Sequence, residues 1–178
     1  MKWHIDQEWT LFLDRDGVIN ERVFGDYILD FKDFYFRPGV QEALTNFRQI
    51  FGKIIVVTNQ QCVSLGKLTK SQLDEIHQKM KAEIESKGGG MDAVFVATEL
   101  KNQAPFHRKP NTAMGEMAKA LFPEIDFKKA IMVGDTDTDI QFGKKLGMKT
   151  VLLLTEEKTN EMADLTLNSL LELMNYIQ

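Results

Sequence analysis

The segment 10–20 of the chain, TLFLDRDGVIN, joins a short apolar run directly to two carboxylates and a glycine. Four apolar or β-favouring residues followed by this turn sequence predict a buried parallel strand that stops abruptly. In open α/β sheets, ligands bind just beyond the carboxyl ends of such strands. Side chains two positions apart on an extended chain point the same way, so Asp14 and Asp16 can address one reacting group. Because crowded carboxylates repel unless a cation or a proton intervenes, the pattern favours a metal, a nucleophile and an acid.

An Asp-x-Asp-Gly sequence at a strand end is also compatible with a simple turn, since Asp and Gly are common turn residues. Three other predicted strand ends carry matching chemistry, and their agreement favours a catalytic site over a turn. They are Thr58-Asn59, Arg108-Lys109-Pro110 and the acidic segment 134–139.

The composition bounds the class of protein. A chain of 178 residues with 43% hydrophobic and 27% charged residues predicts one globular domain over 1–178. The net charge of -4 and the lack of a basic block argue against nucleic acid as a partner. The single cysteine, Cys62, excludes a disulfide framework and a multi-cysteine zinc site. No signal core or membrane-spanning run is visible, so we expect no membrane partner, a cytoplasmic location, and a monomer or weak dimer.

Strands and helices alternate along the chain. This alternation predicts an α/β, Rossmann-like three-layer sandwich with a parallel central sheet and a minimal cap. We expect strands at 10–13, 54–57, 93–97, 131–133, 150–154 and 165–167, and helices beginning near Val40, Thr69, Asn111, Asp137 and Asn168. No insertion is long enough for a cap domain, so we expect an open site bordered by a short flap at about 21–37 and a substrate-specificity loop at about 98–110.

The ordered set of motifs resembles the haloacid dehalogenase (HAD) superfamily of phosphotransferases. In that superfamily the first Asp of the strand-one motif attacks phosphorus, so the resemblance implies that Asp14 is the nucleophile and forms an aspartyl phosphate. Asp16 would protonate the leaving oxygen and then deprotonate the hydrolytic water. Thr58 and Asn59 would hold phosphoryl oxygens, and Lys109 would offset charge on the transferred group.

The same resemblance implies a Mg²⁺ cofactor. A carboxylate is a poor nucleophile toward an anionic phosphoryl group, so a divalent cation must screen the charge. The implied ligands are Asp14, the backbone carbonyl of Asp16, Asp135, and Asp139 either directly or through water.

A closer similarity is to the group that contains heptose bisphosphate phosphatases and histidinol phosphatases. It is carried by residues 14–20, 34–40, 57–60, 108–110 and 167–170. It implies a small phosphorylated metabolite as the partner, with removal of the 7-phosphate from D-glycero-D-manno-heptose 1,7-bisphosphate, and it places Asn59, Gln60 and Arg108 near the substrate.

Three departures from that group are visible. Its members commonly hold a structural zinc in the loop before Arg-Lys-Pro, but residues 98–107 contain no cysteine, so we expect no structural zinc. Thr136 stands where heptose enzymes tend to carry Lys, and residues 61–65 replace a familiar specificity sequence. A histidinol-phosphate or sugar-monophosphate phosphatase, a polynucleotide 3′-phosphatase and a catalytically silent phospholigand-binding module therefore stay as alternatives.

Overall fold

The computed structural model describes residues 2–101, 103 and 107–178, so part of the expected loop 98–110 lies outside the described residues. The strands are β1 Thr10–Leu13, β2 Lys53–Asn59, β3 Ala93–Ala97, β4 Ala130–Gly134, β5 Lys149–Leu153 and β6 Leu165–Leu167. The α-helices are α1 Val40–Ile50, α2 Lys70–Ser86, α3 Ala113–Leu121 and α4 Asp137–Leu146. Short 3₁₀ helices cover Phe31–Asp33, Phe127–Lys129 and Leu171–Asn175.

The six strands form one parallel sheet in the order β3-β2-β1-β4-β5-β6. Strand β1 is central and fully buried on both faces, which explains its unbroken apolar sequence. Leu11 and Leu13 pack in a core with residues of α1 and α2, whereas Phe12 packs on the other face with residues of α3 and α4. The layers are therefore helix, sheet and helix, and the predicted Rossmann-like fold is confirmed.

The chain adds β2 and β3 on one side of β1, and then β4, β5 and β6 on the other. The strand order thus reverses between β1 and β4, which are direct neighbours with Leu13 opposite Val133. Ligands of open α/β sheets bind at such a switch point, beyond the carboxyl ends of the strands. The topology therefore brings Asp14, after β1, and Asp135, after β4, to the same crevice.

Helix α2 begins where the sequence predicted, directly after Thr69. The Thr69 hydroxyl accepts a hydrogen bond from the Gln72 amide (3.1 Å), and the Gln72 side chain accepts one from the Thr69 amide (2.9 Å). This reciprocal cap satisfies two of the amides that a helix start leaves unpaired.

The helix expected after Asn168 is replaced by the 3₁₀ helix Leu171–Asn175, and Asn168 does not cap it. The cause is competition from the other end of the chain. The amide of Trp3 donates to the Tyr176 carbonyl (2.7 Å), and the amide of Gln178 donates to the Trp3 carbonyl (2.9 Å). Ile177 therefore forms a parallel bridge with Trp3, and the helix cannot continue through it.

The segment 21–37, expected to act as a flap, contains the 3₁₀ helix Phe31–Asp33 as its regular element. It is tied back to the strand-one turn by a bridge between Asn20 and Phe36. Residues 22–28 line the cavity over the carboxyl ends of the strands. The segment is thus placed as a wall of the site, and its movement stays a prediction.

Candidate active site

Asp14 and Lys109 form a buried ion pair at the centre of the crevice. The Nζ atom of Lys109 lies 2.8 Å from Asp14 Oδ1, 2.6 Å from Asp139 Oδ1 and 2.6 Å from the Val57 carbonyl oxygen. Burial alone lowers the pKa of Lys109, but Asp139 and Asp14 outweigh that effect and raise it. The lysine is therefore a fixed positive charge facing both carboxylates.

The carboxyl group of Asp14 has a raised pKa of about 7. Its burial is the main cause, since desolvation disfavours the ionised form. The carboxylates of Asp139 and Asp135 act in the same direction, whereas Lys109 and Arg22 oppose the shift. More positive charge is needed to keep this group ionised, and the site has a place for it.

Three carboxylates offer that place. One oxygen from each of Asp14, Asp135 and Asp139 lies within 4.8 Å of the others, and all three residues are buried. Gly17 makes the close packing possible, because a Cβ at this position would lie 2.0 Å from Asp135 Oδ2. Gly134 has the same role beside Asp139, where a Cβ would lie 2.1 Å from the Asp139 Cβ. We call the three carboxylates with the Asp16 carbonyl oxygen the acidic cage.

Asp139 differs from the other two members because protein groups already engage its carboxylate. Its Oδ2 accepts hydrogen bonds from the amides of Asp135 (3.2 Å) and Thr136 (3.1 Å) and from the Thr136 hydroxyl (2.7 Å). Together with Thr136 it forms the capping box of α4. Asp139 therefore anchors both the helix start and Lys109.

Asp16 lies beside the cage, with three side chains donating to its carboxylate. These are Arg15 (2.8 and 3.1 Å), Asn20 (2.9 Å) and Gln60 (2.7 Å). Burial works against ionisation, but the Arg15 charge and the three donors prevail and lower the Asp16 pKa to about 2. In this arrangement Asp16 is a carboxylate that binds a proton only weakly.

Successive side chains of a strand point to opposite sides, so the three predicted site residues at the end of β2 do not all face the cavity. Asn59 lines the cavity, and its side-chain oxygen accepts from the Lys109 amide (2.9 Å) while its nitrogen donates to the Lys109 carbonyl (3.2 Å). Thr58 and Gln60 are buried, with the Gln60 amide donating to Thr58 Oγ1 (2.9 Å). Gln60 therefore lies behind Asp16 and holds it, and neither Thr58 nor Gln60 lines the described part of the cavity.

Arg22 enters the acidic cage from the segment 21–37. Its guanidinium donates to both oxygens of Asp135 (2.7 and 3.0 Å) and to the Asp16 carbonyl (3.2 Å), and it lies 4.0 Å from Asp14 Oδ2. Burial opposes its charge, but Asp135 and then Asp14 and Asp16 raise its pKa. This contact was not predicted, because nothing in the sequence around Arg22 distinguishes it from a surface arginine.

The cavity above these residues has a volume of about 400 Å³. Arg108 lines it with a half-buried guanidinium whose Nη1 has no hydrogen-bond partner within the described residues. Lys101 also lines the cavity, and Asp26 and Glu157 add negative charge to it. The cavity is therefore strongly polar, with cations both at its base and along its wall.

The cage suits a hard divalent cation. Its donors are carboxylate and carbonyl oxygens, which Mg²⁺ prefers, and the absence of a side chain at Gly17 leaves Asp135 room to approach. Burial and the two neighbouring carboxylates raise the pKa of Asp14, and a cation bound in the cage would lower it again.

A family model described as HAD-hydrolase-like matches residues 106–173. A D-glycero-alpha-D-manno-heptose-1,7-bisphosphate 7-phosphatase of Mycobacterium tuberculosis (strain ATCC 25618 / H37Rv) is 34% identical over 134 residues, which are 75% of this chain and 70% of the relative. A D-glycero-beta-D-manno-heptose-1,7-bisphosphate 7-phosphatase of Escherichia coli O6:H1 is 30% identical over 182 residues, which are 95% of this chain and 94% of the relative. The chain belongs to the HAD-like hydrolase family. Within that family it is a phosphatase.

The fold of this HAD-like phosphatase is shared with solved structures. A D,D-heptose 1,7-bisphosphate phosphatase from B. bronchiseptica, complexed with magnesium and phosphate, matches with a TM-score of 0.80 at 23% identity, over 92% of this chain and 94% of that chain. A D,D-heptose 1,7-bisphosphate phosphatase from Burkholderia thailandensis matches with a TM-score of 0.64 at 26% identity, over 94% and 97%. Within the described residues, no helix is long and apolar enough to cross a membrane.

Proposed function

We propose that this phosphatase hydrolyses a small phosphorylated metabolite through an aspartyl phosphate on Asp14. The observation that carries the proposal is the 2.8 Å contact between Lys109 Nζ and Asp14 Oδ1 at the base of the polar cavity. The names of the relatives support D-glycero-D-manno-heptose 1,7-bisphosphate as the substrate, with removal of the 7-phosphate.

Asp14 and Lys109 act together on the transferred phosphoryl group. Asp14 supplies the attacking oxygen, and its ionised form is required because a protonated carboxyl is a weak nucleophile. Lys109 is held by Asp139 and by the Val57 carbonyl, so its charge is already in place when negative charge moves onto the phosphoryl oxygens. No reorganisation of the lysine is needed.

We assign the metal site to Asp14, the Asp16 carbonyl and Asp135, with Mg²⁺ as the cation. A bound Mg²⁺ would neutralise the carboxylates and screen the negative charge of the phosphoryl group. Asp139 serves this site mainly by holding Lys109 and the start of α4, because both of its oxygens already have protein partners. No structural zinc belongs to the proposal.

Asp16 handles the proton in both halves of the reaction. The protonated side chain gives its proton to the leaving oxygen, and the resulting carboxylate takes one from the water that attacks the phosphorus of the aspartyl phosphate. Its three donors keep it ionised in the observed arrangement. To act as the acid, Asp16 must leave Arg15, Asn20 and Gln60 and face the substrate phosphate, whose negative charge favours the protonated form.

The second phosphate of a bisphosphate needs its own cation. We propose Arg108 for this role, supported by its position in the cavity lining and by an Nη1 that lacks a hydrogen-bond partner within the described part of the chain. Asn59, which lines the cavity, would contribute to the hold on the transferred group, with the buried Thr58 and Gln60 as positioning residues behind the site. We further propose a cytoplasmic enzyme, monomeric or weakly dimeric, without a nucleic-acid or membrane partner.

The test is phosphate release from a substrate panel, with Mg²⁺ and with EDTA. The panel contains the heptose bisphosphate, histidinol phosphate, a sugar monophosphate, an aryl phosphate and a 3′-phosphorylated oligonucleotide. We expect Mg²⁺-dependent turnover with the highest kcat/KM on the heptose bisphosphate. An equal or higher kcat/KM on a monophosphate would contradict the heptose bisphosphate as the preferred substrate. Turnover that survives EDTA would contradict the metal assignment.

A further inference from the structure

We propose that the Arg22 guanidinium is an internal cation that occupies the acidic cage in the metal-free enzyme, and that Mg²⁺ binds by displacing it. The inference rests on the proposed metal site. It adds that this chain carries its own competitor for that site, on the segment 21–37.

Arg22 contacts the same atoms that would hold the metal. Its guanidinium meets both oxygens of Asp135 and the carbonyl oxygen of Asp16, and it lies 4.0 Å from Asp14 Oδ2. These are the same groups that are assigned to the metal. No other arginine or lysine within the described residues contacts Asp135.

Without a metal, Asp135 depends on Arg22 for a compensating positive charge. The cage contains three buried carboxylates, and Lys109 is shared by two of them, Asp14 and Asp139. Asp135 has no contact with that lysine, and a buried carboxylate without a cation is costly. The forked hydrogen bonds of Arg22 provide that cation, in a geometry for which a guanidinium is suited.

The Arg22 guanidinium and a bound Mg²⁺ would exclude each other from the cage. A divalent ion and a guanidinium that share the oxygens of Asp135 and the Asp16 carbonyl would lie only a few ångströms apart and repel strongly in a buried site. Displacement requires only side-chain movement, because Arg22 is 23% exposed and lines the open cavity. Glu157 Oε1, 3.8 Å from Arg22 Nη1, offers a partner outside the cage for the released guanidinium.

The proposal predicts that Arg22→Gln binds Mg²⁺ more tightly than the wild type. Removing two or more charge-assisted hydrogen bonds from the competing state corresponds to a gain of about tenfold or more in affinity. Arg108→Gln is the matched control, since Arg108 carries the same charge in the same cavity but contacts none of the cage carboxylates. We expect its Mg²⁺ affinity to stay within about threefold of the wild type, since a partly screened charge that does not contact the cage has a small effect.

The experiment is calorimetric titration of Mg²⁺ into the substrate-free proteins, with thermal unfolding in EDTA and in saturating Mg²⁺. Arg22→Gln should melt below the wild type in EDTA, because Asp135 loses its cation, and should gain more on adding Mg²⁺. Arg22→Gln that binds Mg²⁺ no more tightly than Arg108→Gln overturns the inference while leaving the metal site intact. If neither the wild type nor Arg22→Gln binds Mg²⁺, the cage is not a metal site, and both this inference and the metal assignment fall.

Discussion

His77 Nε2 lies 3.0 Å from Arg15 Nη1, in a buried contact between helix α2 and the turn that carries Asp14 and Asp16. Because a guanidinium can only donate, Nε2 must accept, and His77 must be neutral. Burial and the Arg15 charge both act in that direction and lower the His77 pKa to about 3. The histidine thus supports Arg15, which in turn donates to Asp16.

This contact predicts a pH dependence of stability. In the unfolded chain His77 takes up a proton near its ordinary pKa of 6.5, whereas in the folded protein it does so only near 3. Between these values the unfolded state binds more protons, so the free energy of unfolding falls as the pH falls, by up to about 1.4 kcal/mol per pH unit, and this contribution is constant above pH 6.5.

The measurement is denaturant unfolding of the wild type and His77→Gln from pH 4 to pH 7.5. Gln offers Arg15 an acceptor that does not titrate, so the unfolding free energy of the wild type should fall relative to that of His77→Gln as the pH falls. A difference that is independent of pH would show that His77 titrates normally in the folded state.

Gly17→Ala should remove Mg²⁺ binding and phosphate release. The new Cβ would lie 2.0 Å from Asp135 Oδ2, and the residue has a φ of +85°, in the left-handed region. The matched control is Gly147→Ala, which has a φ of +79° but nothing within 4 Å of its Cβ. Both variants should lose about 1–2 kcal/mol from backbone strain.

Mg²⁺ titration and unfolding are measured on both variants, and only Gly17→Ala should lose its affinity for Mg²⁺. Equal metal binding in the two variants would mean that the close approach of Asp135 to Gly17 does not matter for the site.

The sequence predicted those residues of the candidate site that directly follow a strand. Asp14 and Asp135 end neighbouring strands, and the carboxyl ends of parallel strands meet at one edge. Arg22 was missed because it lies in a segment without periodicity and its partner Asp135 is 113 positions away. Gln60 was expected beside the substrate, but the alternation of β2 turns it to the buried side.

The terminal segment shows a different limit of sequence reasoning. Its apolar spacing fitted an α-helix after Asn168, but the pairing of residues 176–178 with Trp3 and its neighbours decides its conformation. Contacts between distant parts of a chain can override a local pattern.

Arg108→Ala should discriminate between substrates. If Arg108 binds the second phosphate, its loss should lower kcat/KM for the heptose bisphosphate about ten- to a hundredfold, mainly through KM. An aryl phosphate lacks that phosphate and should be affected only mildly. Equal losses on both substrates would place Arg108 on the transferred phosphoryl group instead.

We expect the purified enzyme to require Mg²⁺ and to contain no stoichiometric zinc. The single cysteine, Cys62, is fully buried, with its Sγ 3.6 Å from Gln60 Oε1. The His107 ring lies 2.5 Å from Glu99 Oε1 and would be the one imidazole available in the loop 98–110. One buried thiol and one imidazole cannot supply the four ligands that a structural zinc site requires. Elemental analysis that finds tightly held zinc in equal amount to protein would contradict this prediction.

The central claim, that Asp14 is the nucleophile, is tested most directly by phosphate release from Asp14→Asn in saturating Mg²⁺. An amide cannot attack phosphorus, so the account predicts no turnover above background, with thermal unfolding showing an intact fold. Asp137→Asn is the control, because Asp137 lies in the same acidic segment but its carboxylate accepts from the amides of Asn160 and Glu161, outside the cage. That control should keep wild-type turnover. Phosphate release by Asp14→Asn at a rate near that of Asp137→Asn would contradict the mechanism.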